Sequence, residues 1–450
     1  MQYSIINFSE AKRDKRFDSE FLNKKVIINK LLTKHKYVNL GSISYITDGE
    51  HGSPEYDENG YICLTGKNVK DFYIDLSNIY KISENQFKKN SRVLVKRGNI
   101  LIGIVGTIGN STLIMEDINA ITSRHLATIK CKDNYNDFNI SKSYIVTFLN
   151  SKYGKEQSIL YSAGNVQPLI NLTNISKFLI PIFSNEFQKS IEKLVLEAHN
   201  QRQISNSLMK EANEILEKEI GFDKLEIKKK KVNYSIVNYS ETLLSKRIDA
   251  EYYQEKYKII MDKIQSYKNG YKKINDVCDI YKNVKLKIDK EKKYDYVEIG
   301  SVNISNGGIE PTSLYGDDLP ANAKRILKVN DIIISKVRPY RGAISLVDND
   351  YIGSSAFTVL KEKDIINKET IFIFFRNNFM LNYINKFSTG TSYPVIVDEY
   401  IYNTYIPIID KNVQNIIADK VKEAYKSRDK AKALLEEAKK KVEDAIENGE

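Results

Sequence analysis

The chain has 450 residues, and its 69 lysines and arginines outweigh 58 aspartates and glutamates to give a formal net charge of +11. That length allows for about two to four domains, and a 42% hydrophobic share is enough to bury cores, which excludes bulk disorder. Three cysteines, Cys63, Cys131 and Cys278, with no Cys or His neighbour at metal spacing, exclude a disulfide scaffold and a paired metal site and indicate a reducing compartment.

Met1–Arg16 has no apolar signal core, and no run approaches about 18 apolar residues, so a soluble, cytoplasmic protein is expected. From Tyr3 the chain reads as the first half of a repeat. Tyr3-Ser4-Ile5-Ile6-Asn7-Phe8-Ser9-Glu10 returns as Tyr234-Ser235-Ile236-Val237-Asn238-Tyr239-Ser240-Glu241, and Arg16-Phe17-Asp18-Ser19-Glu20-Phe21 returns as Arg247-Ile248-Asp249-Ala250-Glu251-Tyr252. Ten of the nineteen positions from Tyr3 to Phe21 are identical to those 231 residues later, where ordinary composition gives about one. SAGNVQPLI (Ser162–Ile170) matches STGTSYPVI (Ser388–Ile396) at an offset of 226, which also carries Ile180-Pro181 onto Ile406-Pro407 and Gln188 onto Gln414. The chain is a tandem duplication, with its break at the lysine run Lys228–Lys231.

Each half divides again. A helical stretch, Phe21–Thr33, precedes a β-rich region in which β-branched runs sit between turn signals: Ile100–Gly106 in the first half, Asp331–Ser335 in the second. After each Ile-Pro pair the periodicity turns helical. Ile417, Val421, Ala424, Arg428, Ala431, Leu435, Ala438, Val442 and Ala445 step by four and three throughout, and Ile191, Val195, Ala198, Arg202, Ser205, Met209, Ala212 and Leu216 are their counterparts. Gly221 stands where a helix C-cap glycine belongs. Helices of about 30 residues run about 45 Å, and one narrow seam is best buried by pairing the two helices antiparallel. Arg202 and Arg428 fall at equivalent seam positions, where they are expected to reach solvent or else to form a register-setting polar layer. Leu194, Ile204, Leu208 and Ile215 flank the seam as candidates for an exposed protein-docking face.

This arrangement resembles the specificity (S) subunit of type I restriction–modification systems. The resemblance covers essentially the whole chain. It rests on the RFDSEF and RIDAEYY segments, on GNILIGIVGTIGNSTLI (Gly98–Ile114) and NDIIISKVRPYRGAISLV (Asn330–Val347), on the SxGxxxPxI stretches, and on Ile-Pro followed by a Gln-bearing helix. A second proline and a Glu-Gln pair often follow the Ile-Pro in such subunits, and here the text is IPIFSNEFQ and IPIIDKNVQ, which leaves the helix start open. The resemblance implies an α/β (α+β) fold: a first target recognition domain at 1–183, a long spacer helix at 184–222, a linker and second recognition domain at 223–409, and a second spacer helix at 410–450. It implies a non-catalytic protein that reads a bipartite double-stranded DNA target. Its partners would be two DNA adenine methyltransferase subunits, with restriction/translocase subunits as further ones. A prokaryotic, nucleoid-associated location follows. Two other readings stay open: a stand-alone sequence-specific DNA-binding protein, and a protein-interaction scaffold that binds no DNA.

The residues themselves offer contacts for a polyanion. Lys336-Val337-Arg338-Pro339-Tyr340-Arg341-Gly342 holds three cations and a tyrosine in a Pro- and Gly-bounded turn straight after a strand, so Lys336, Arg338, Tyr340 and Arg341 are candidates for base or phosphate contact. The first-half counterpart, Gly106–Ser111, is small and neutral, and offers Thr107 and Asn110. The Ser162–Pro168 and Ser388–Pro394 stretches add Asn165, Gln167, Thr391, Ser392 and Tyr393, which differ within a matching frame as two half-sites of different sequence require. Lys67 and Asn68 stand in the turn Thr65–Asn68, and Arg124 and His125 add a cation and an imidazole, the latter with the plain alternative of a satisfied polar residue. There is no Asn/Asp-Pro-Pro-Tyr stretch, no glycine-rich cofactor loop and no GxxxxGK[ST], so no cofactor, metal or catalytic residue is expected.

Overall fold

The computed structural model describes residues 19–77, 79–132, 140–164, 168–226, 234–281 and 286–450, with the side chains at 19–21 and 23 also left aside. Its contacts group into two compact units, Met1–Arg202 with Asp429–Glu450, and Gln203–Arg428. Among the described residues no helix is long and apolar enough to cross a membrane.

In the first unit, β-branched runs build an antiparallel sheet in the order Ser44–Asp48, Leu126–Cys131, Ile100–Gly103, Ser111–Leu113. Ile100, Leu101 and Ile102 are fully buried. A smaller sheet places Tyr56–Leu64 parallel to Ala120–Thr122 and antiparallel to Tyr80–Ile82. Helices Ser19–Leu32, Lys142–Asn150 and Lys152–Leu160 surround one face, and Tyr144, Phe148 and Phe178 are buried in the core beneath them.

The second unit repeats this order. Its main sheet runs Cys278–Tyr281, Phe357–Glu362, Ile332–Ser335, Ile344–Leu346. Its smaller sheet again contains a parallel pair, Lys293–Val297 with Tyr351–Ser354. Helices Lys368–Arg376 and Asn378–Asn385 lie 226 residues beyond their counterparts. The Ile-Pro strands also take the same place: Leu179–Pro181 pairs with Tyr37–Asn39, and Tyr405–Pro407 with Tyr271–Lys273. The tandem repeat is therefore structural as well as textual. The RIDAEYY segment is held by a two-bonded ion pair, Arg247 to Asp249 at 2.6 and 3.0 Å, and by Arg247 donating to the Ser388 carbonyl at 3.3 Å. RFDSEF falls largely outside the described residues.

The long helices are Asn185–Ile220 and Lys411–Asn448, and the first ends at Gly221 in the left-handed region, φ 80°. In the first unit Ile191 and Val195 share a core with Ala438, Val442 and Ala445. In the second, Met209, Ala212 and Leu216 share one with Ile417, Val421 and Ala424. The start of each helix meets the end of the other, so they run antiparallel, and Glu197–Lys430 at 2.9 Å and Glu211–Lys420 at 2.5 Å bridge them. Each buried Ile, Val, Leu or Met of this seam contributes about 1.5–3 kcal/mol relative to exposure, and each alanine less.

The repeated glutamine fastens each helix to its globule. Gln188 accepts from the Ser141 N–H at 2.8 Å and donates to the Phe183 carbonyl at 3.0 Å. Gln414 accepts from the Asn367 N–H at 2.8 Å and donates to the Ile409 carbonyl at 2.9 Å. Of the flanking apolar residues, Ile204 is exposed, whereas Leu194, Leu208 and Ile215 pack against the cores. The last three are partly buried.

Candidate nucleic-acid interface

Two stretches far apart in sequence meet at the same point of each repeat. In the second unit the turn after strand Ile332–Ser335 is joined to Ser388–Pro394 by the Val337–Val395 bridge and by the Arg338 N–H donating to the Pro394 carbonyl at 2.7 Å. In the first unit Val105 bridges Leu169, and the Gly106 N–H donates to the Pro168 carbonyl at 3.4 Å. The β-strand fixes the start of each turn, and the bridge fixes its far side.

Arg338 has φ 49°, in the left-handed region, and its counterpart in the first unit is Gly106 at φ 75°. That backbone costs an L-residue about 1–2 kcal/mol, so the turn geometry is kept although the glycine is gone. Strain of this kind is concentrated at functional sites. The Arg338 guanidinium donates to the Ser392 carbonyl at 3.1 Å and lies 4.6 Å from the Tyr393 ring centre. Tyr340, Arg341, Thr391, Ser392 and Tyr393 are all exposed. The second unit thus gathers Arg338, Tyr340, Arg341 and three residues of the polar loop on one surface.

Lys336 stands apart from them. It is half-buried and pairs with Asp398 at 3.3 Å, beside the buried Arg325, which pairs with the same carboxylate at 3.3 Å. Its ammonium is committed to the interior, where the sequence suggested a cation for DNA. Below the surface, Arg376 fixes the turn by donating to the carbonyls of Ile344 at 3.2 Å, Ile304 at 2.9 Å and Ser305 at 2.8 Å. Desolvation pulls its pKa down to about 10. The equivalent helix position in the first unit, Asn150, holds Ser111 through both its N–H and its carbonyl, at 3.2 and 2.8 Å.

The first unit places its cations elsewhere. Lys67 and Arg124 are exposed, and both lie near the half-buried His125, whose pKa is lowered first by burial and then by these two charges. Asn68 is buried and braces the turn, accepting from Thr65 at 2.9 Å and donating to the Asp75 carbonyl at 3.0 Å. Thr107 donates to the Gly66 carbonyl at 2.8 Å, which ties the Thr65–Asn68 turn to the Gly106–Ser111 turn. Asn110 accepts from Lys155 at 2.8 Å. Asn68, Thr107 and Asn110 therefore spend polar atoms inside the protein, while Lys67 and Arg124 form a charged surface beside the half-buried His125. Asn165 and Gln167 lie outside the described residues. A recess of about 330 Å³ opens beside this surface, lined among others by Glu50, His51, Tyr56, Tyr80 and Ser123. Nothing in the periodicity of the sequence marks it, because its walls come from three strands, a helix and loops far apart in sequence.

In the second unit the positions equivalent to Lys67, Arg124 and His125 are Gly300, Ser355 and Ala356. The two repeats therefore carry charge on different parts of one frame.

Residues 266–440 match the family model described as the type I restriction modification DNA specificity domain. The matched stretch takes in the Arg338 turn, the Ser388–Pro394 loop and much of the second long helix. The chain is 32% identical over 108 residues to the type I restriction enzyme HindI specificity subunit of Haemophilus influenzae, a stretch covering 23% of this chain and 24% of that protein. It is 26% identical over 150 residues to the EcoBI specificity subunit of Escherichia coli, covering 32% and 31%. The matches thus span about a quarter to a third of these relatives' length. Among solved structures, the S subunit from M. genitalium aligns over 92% of this chain and 95% of its own, with 13% identity and a TM-score of 0.41. The HsdS subunit from Thermoanaerobacter tengcongensis aligns over 92% and 97%, with 12% identity and a TM-score of 0.30.

Proposed function

We propose that the chain is the DNA sequence-specificity subunit of a type I restriction–modification complex. Each repeat reads one half of a split target, through the surface where its strand-end turn meets its polar loop. Tyr340, Arg341 and the strained Arg338 serve the second half-site, with Thr391, Ser392 and Tyr393 beside them. Lys67, Arg124 and His125 serve the first, with Asn165 and Gln167 as further candidates. Arginine forks suit guanine edges and phosphates alike, and the exposed hydroxyls suit either. Phosphate contacts supply salt-sensitive affinity, and base contacts supply discrimination.

The antiparallel helices set the spacing between half-sites and dock two adenine methyltransferase subunits, through which restriction/translocase subunits join. The domain boundaries implied by the resemblance, 1–183, 184–222, 223–409 and 410–450, describe this division of labour. The chain itself carries out no chemistry and works in the cytoplasm, on chromosomal DNA. The observation that carries this reading is the recurrence, in both repeats, of one loop junction on one sheet order with different charged residues. One fold reading two unlike half-sites needs that combination. The test is purification of the chain from its host with its bound proteins, together with methylome sequencing of a deletion strain. Recovery of a methyltransferase and loss of one split adenine-methylation motif are expected. A chain that purifies alone and leaves every mark in place would overturn the proposal.

A further inference from the structure

Arg202 and Arg428 stand at the same place on the two long helices, each 17 residues past the first residue (202 − 185 and 428 − 411). That is about 26 Å along the axis. Both leave the helix seam and reach the globule of their own unit. In the first unit the Arg202 guanidinium lies 3.2 Å from the centre of the Tyr73 ring, and His199, one turn earlier, approaches Glu116 at 3.4 Å. In the second, Arg428 pairs with Asp348 at 3.2 Å and covers the Tyr425 ring of its own helix at 4.2 Å. Asp348 in turn accepts from the Tyr351 hydroxyl at 2.7 Å. Arg428 also packs over Gly308, where an added Cβ would come within 3.3 Å of the guanidinium.

The partners come from corresponding places. Glu116 and Asp348 follow the equivalent strands Ser111–Leu113 and Ile344–Leu346. Tyr73 and Gly308 both belong to the segment that follows the parallel strand of the smaller sheet. The arginine and the acidic loop are retained in both repeats. The contact itself is remade, as stacking with a His–Glu pair in one repeat and as an Arg–Asp bridge in the other. Two copies that diverge at their candidate reading loops keep this attachment with new chemistry, which points to a geometric requirement.

We infer that Arg202 and Arg428 are positioning residues that latch each recognition globule to its own spacer helix and so fix where along the DNA each half-site is read. The inference rests on the proposed DNA-reading function. Each globule is already fastened at the helix start by Gln188 or Gln414. A second attachment 14 residues further on (202 − 188 and 428 − 414), about 21 Å away, removes rocking about the first. Rocking by about 9° moves a point at that distance by about 3.4 Å, one base-pair step.

The test uses the full chain with its native partner subunits and a randomised duplex library. The unaltered protein should enrich two half-sites at one spacing. The Arg202→Ala/Arg428→Ala variant should enrich the same half-sites, with spacings one base pair longer or shorter brought to within about tenfold of the best. A reading without DNA keeps the two ideas separable: spin labels at the exposed positions Asp318 and Lys426, both in the second unit, report the play between globule and helix. Arg428→Ala should broaden their distance distribution, and the charge swap Arg428→Asp/Asp348→Arg should narrow it again. An unchanged single spacing with an unchanged distribution would overturn the latch. If the unaltered protein enriches no split motif, the DNA reading fails and the label distribution alone decides: broadening with rescue upholds the latch, constancy overturns it.

Discussion

Replacing Arg338 with glycine should leave the second globule about as stable as before while removing much of its DNA discrimination. Arg338 sits at φ 49°, a conformation that costs an L-residue about 1–2 kcal/mol and that glycine adopts freely. Against that relief stand the stacking on Tyr393, worth about 0.5–1 kcal/mol at an exposed site, and the bond to the Ser392 carbonyl at 3.1 Å. Glycine also adds about 0.5–1 kcal/mol of unfolded-chain entropy. These effects nearly cancel, so the urea midpoint of Arg338→Gly should stay within about 1 kcal/mol of the parent. Arg338→Ala removes the same stacking and hydrogen bond but keeps the backbone cost, and should be about 1 kcal/mol less stable than the glycine variant. In binding the two should behave alike, each losing about 1–3 kcal/mol, or about 5- to 150-fold, at the second half-site. Competition between duplexes altered in one half-site at a time measures this. Parent-like discrimination by Arg338→Gly, or an alanine variant as stable as the glycine one, would refute the reasoning.

Other expectations concern the first unit and the helices. Lys67→Ala/Arg124→Ala should weaken binding through the first half-site alone, with the slope of log K against log salt falling by about 0.9 for each phosphate no longer neutralised; equal weakening at both half-sites would make these residues general electrostatics. Burial first, and then its cationic neighbours Arg124 and Lys67, lower the pKa of His125 in the free protein. A phosphate placed beside it would favour the proton, so affinity at the first half-site should rise as the pH falls below the ordinary histidine value of about 6.5. His125→Gln should flatten that dependence, and a parent-like slope in that variant would exclude His125 from the interface. Deleting one heptad from a long helix removes about 10 Å of rise, about three base pairs, and should shift the preferred spacer; an unchanged spacer would sink the role of the helices as a ruler.

Much of the fold is legible in the sequence because duplication prints it twice. The β-branched runs at Ile100 and Ile332, the Ile-Pro strands and the four-and-three stepping of the long helices all appear as elements of the structure. Single-residue roles are less legible. Lys336 reads as a free cation next to Arg338, yet alternation along the strand end turns it inward onto Asp398. Asn68 reads as a contact residue, yet a short polar side chain in a tight turn satisfies its own backbone first. Arg202 and Arg428 read as seam residues because heptad counting assigns a face and says nothing of a globule within reach of that face. Arg376 gives no local signal at all, since its four carbonyl partners lie between 32 and 72 residues away in sequence. The convergence of the Arg338 turn with the Ser388–Pro394 loop likewise depends on a bridge between residues 58 positions apart (395 − 337).

In the proposed function each repeat reads its own half of a split target. This is tested most directly by selecting a randomised duplex library with the full chain and its native partners, once as it stands and once with Arg338, Tyr340 and Arg341 all replaced by alanine. One motif of two half-sites around an unread gap is expected, with the loss of sequence preference in one half only for the altered protein. A contiguous motif, or equal erosion of both halves, would contradict it.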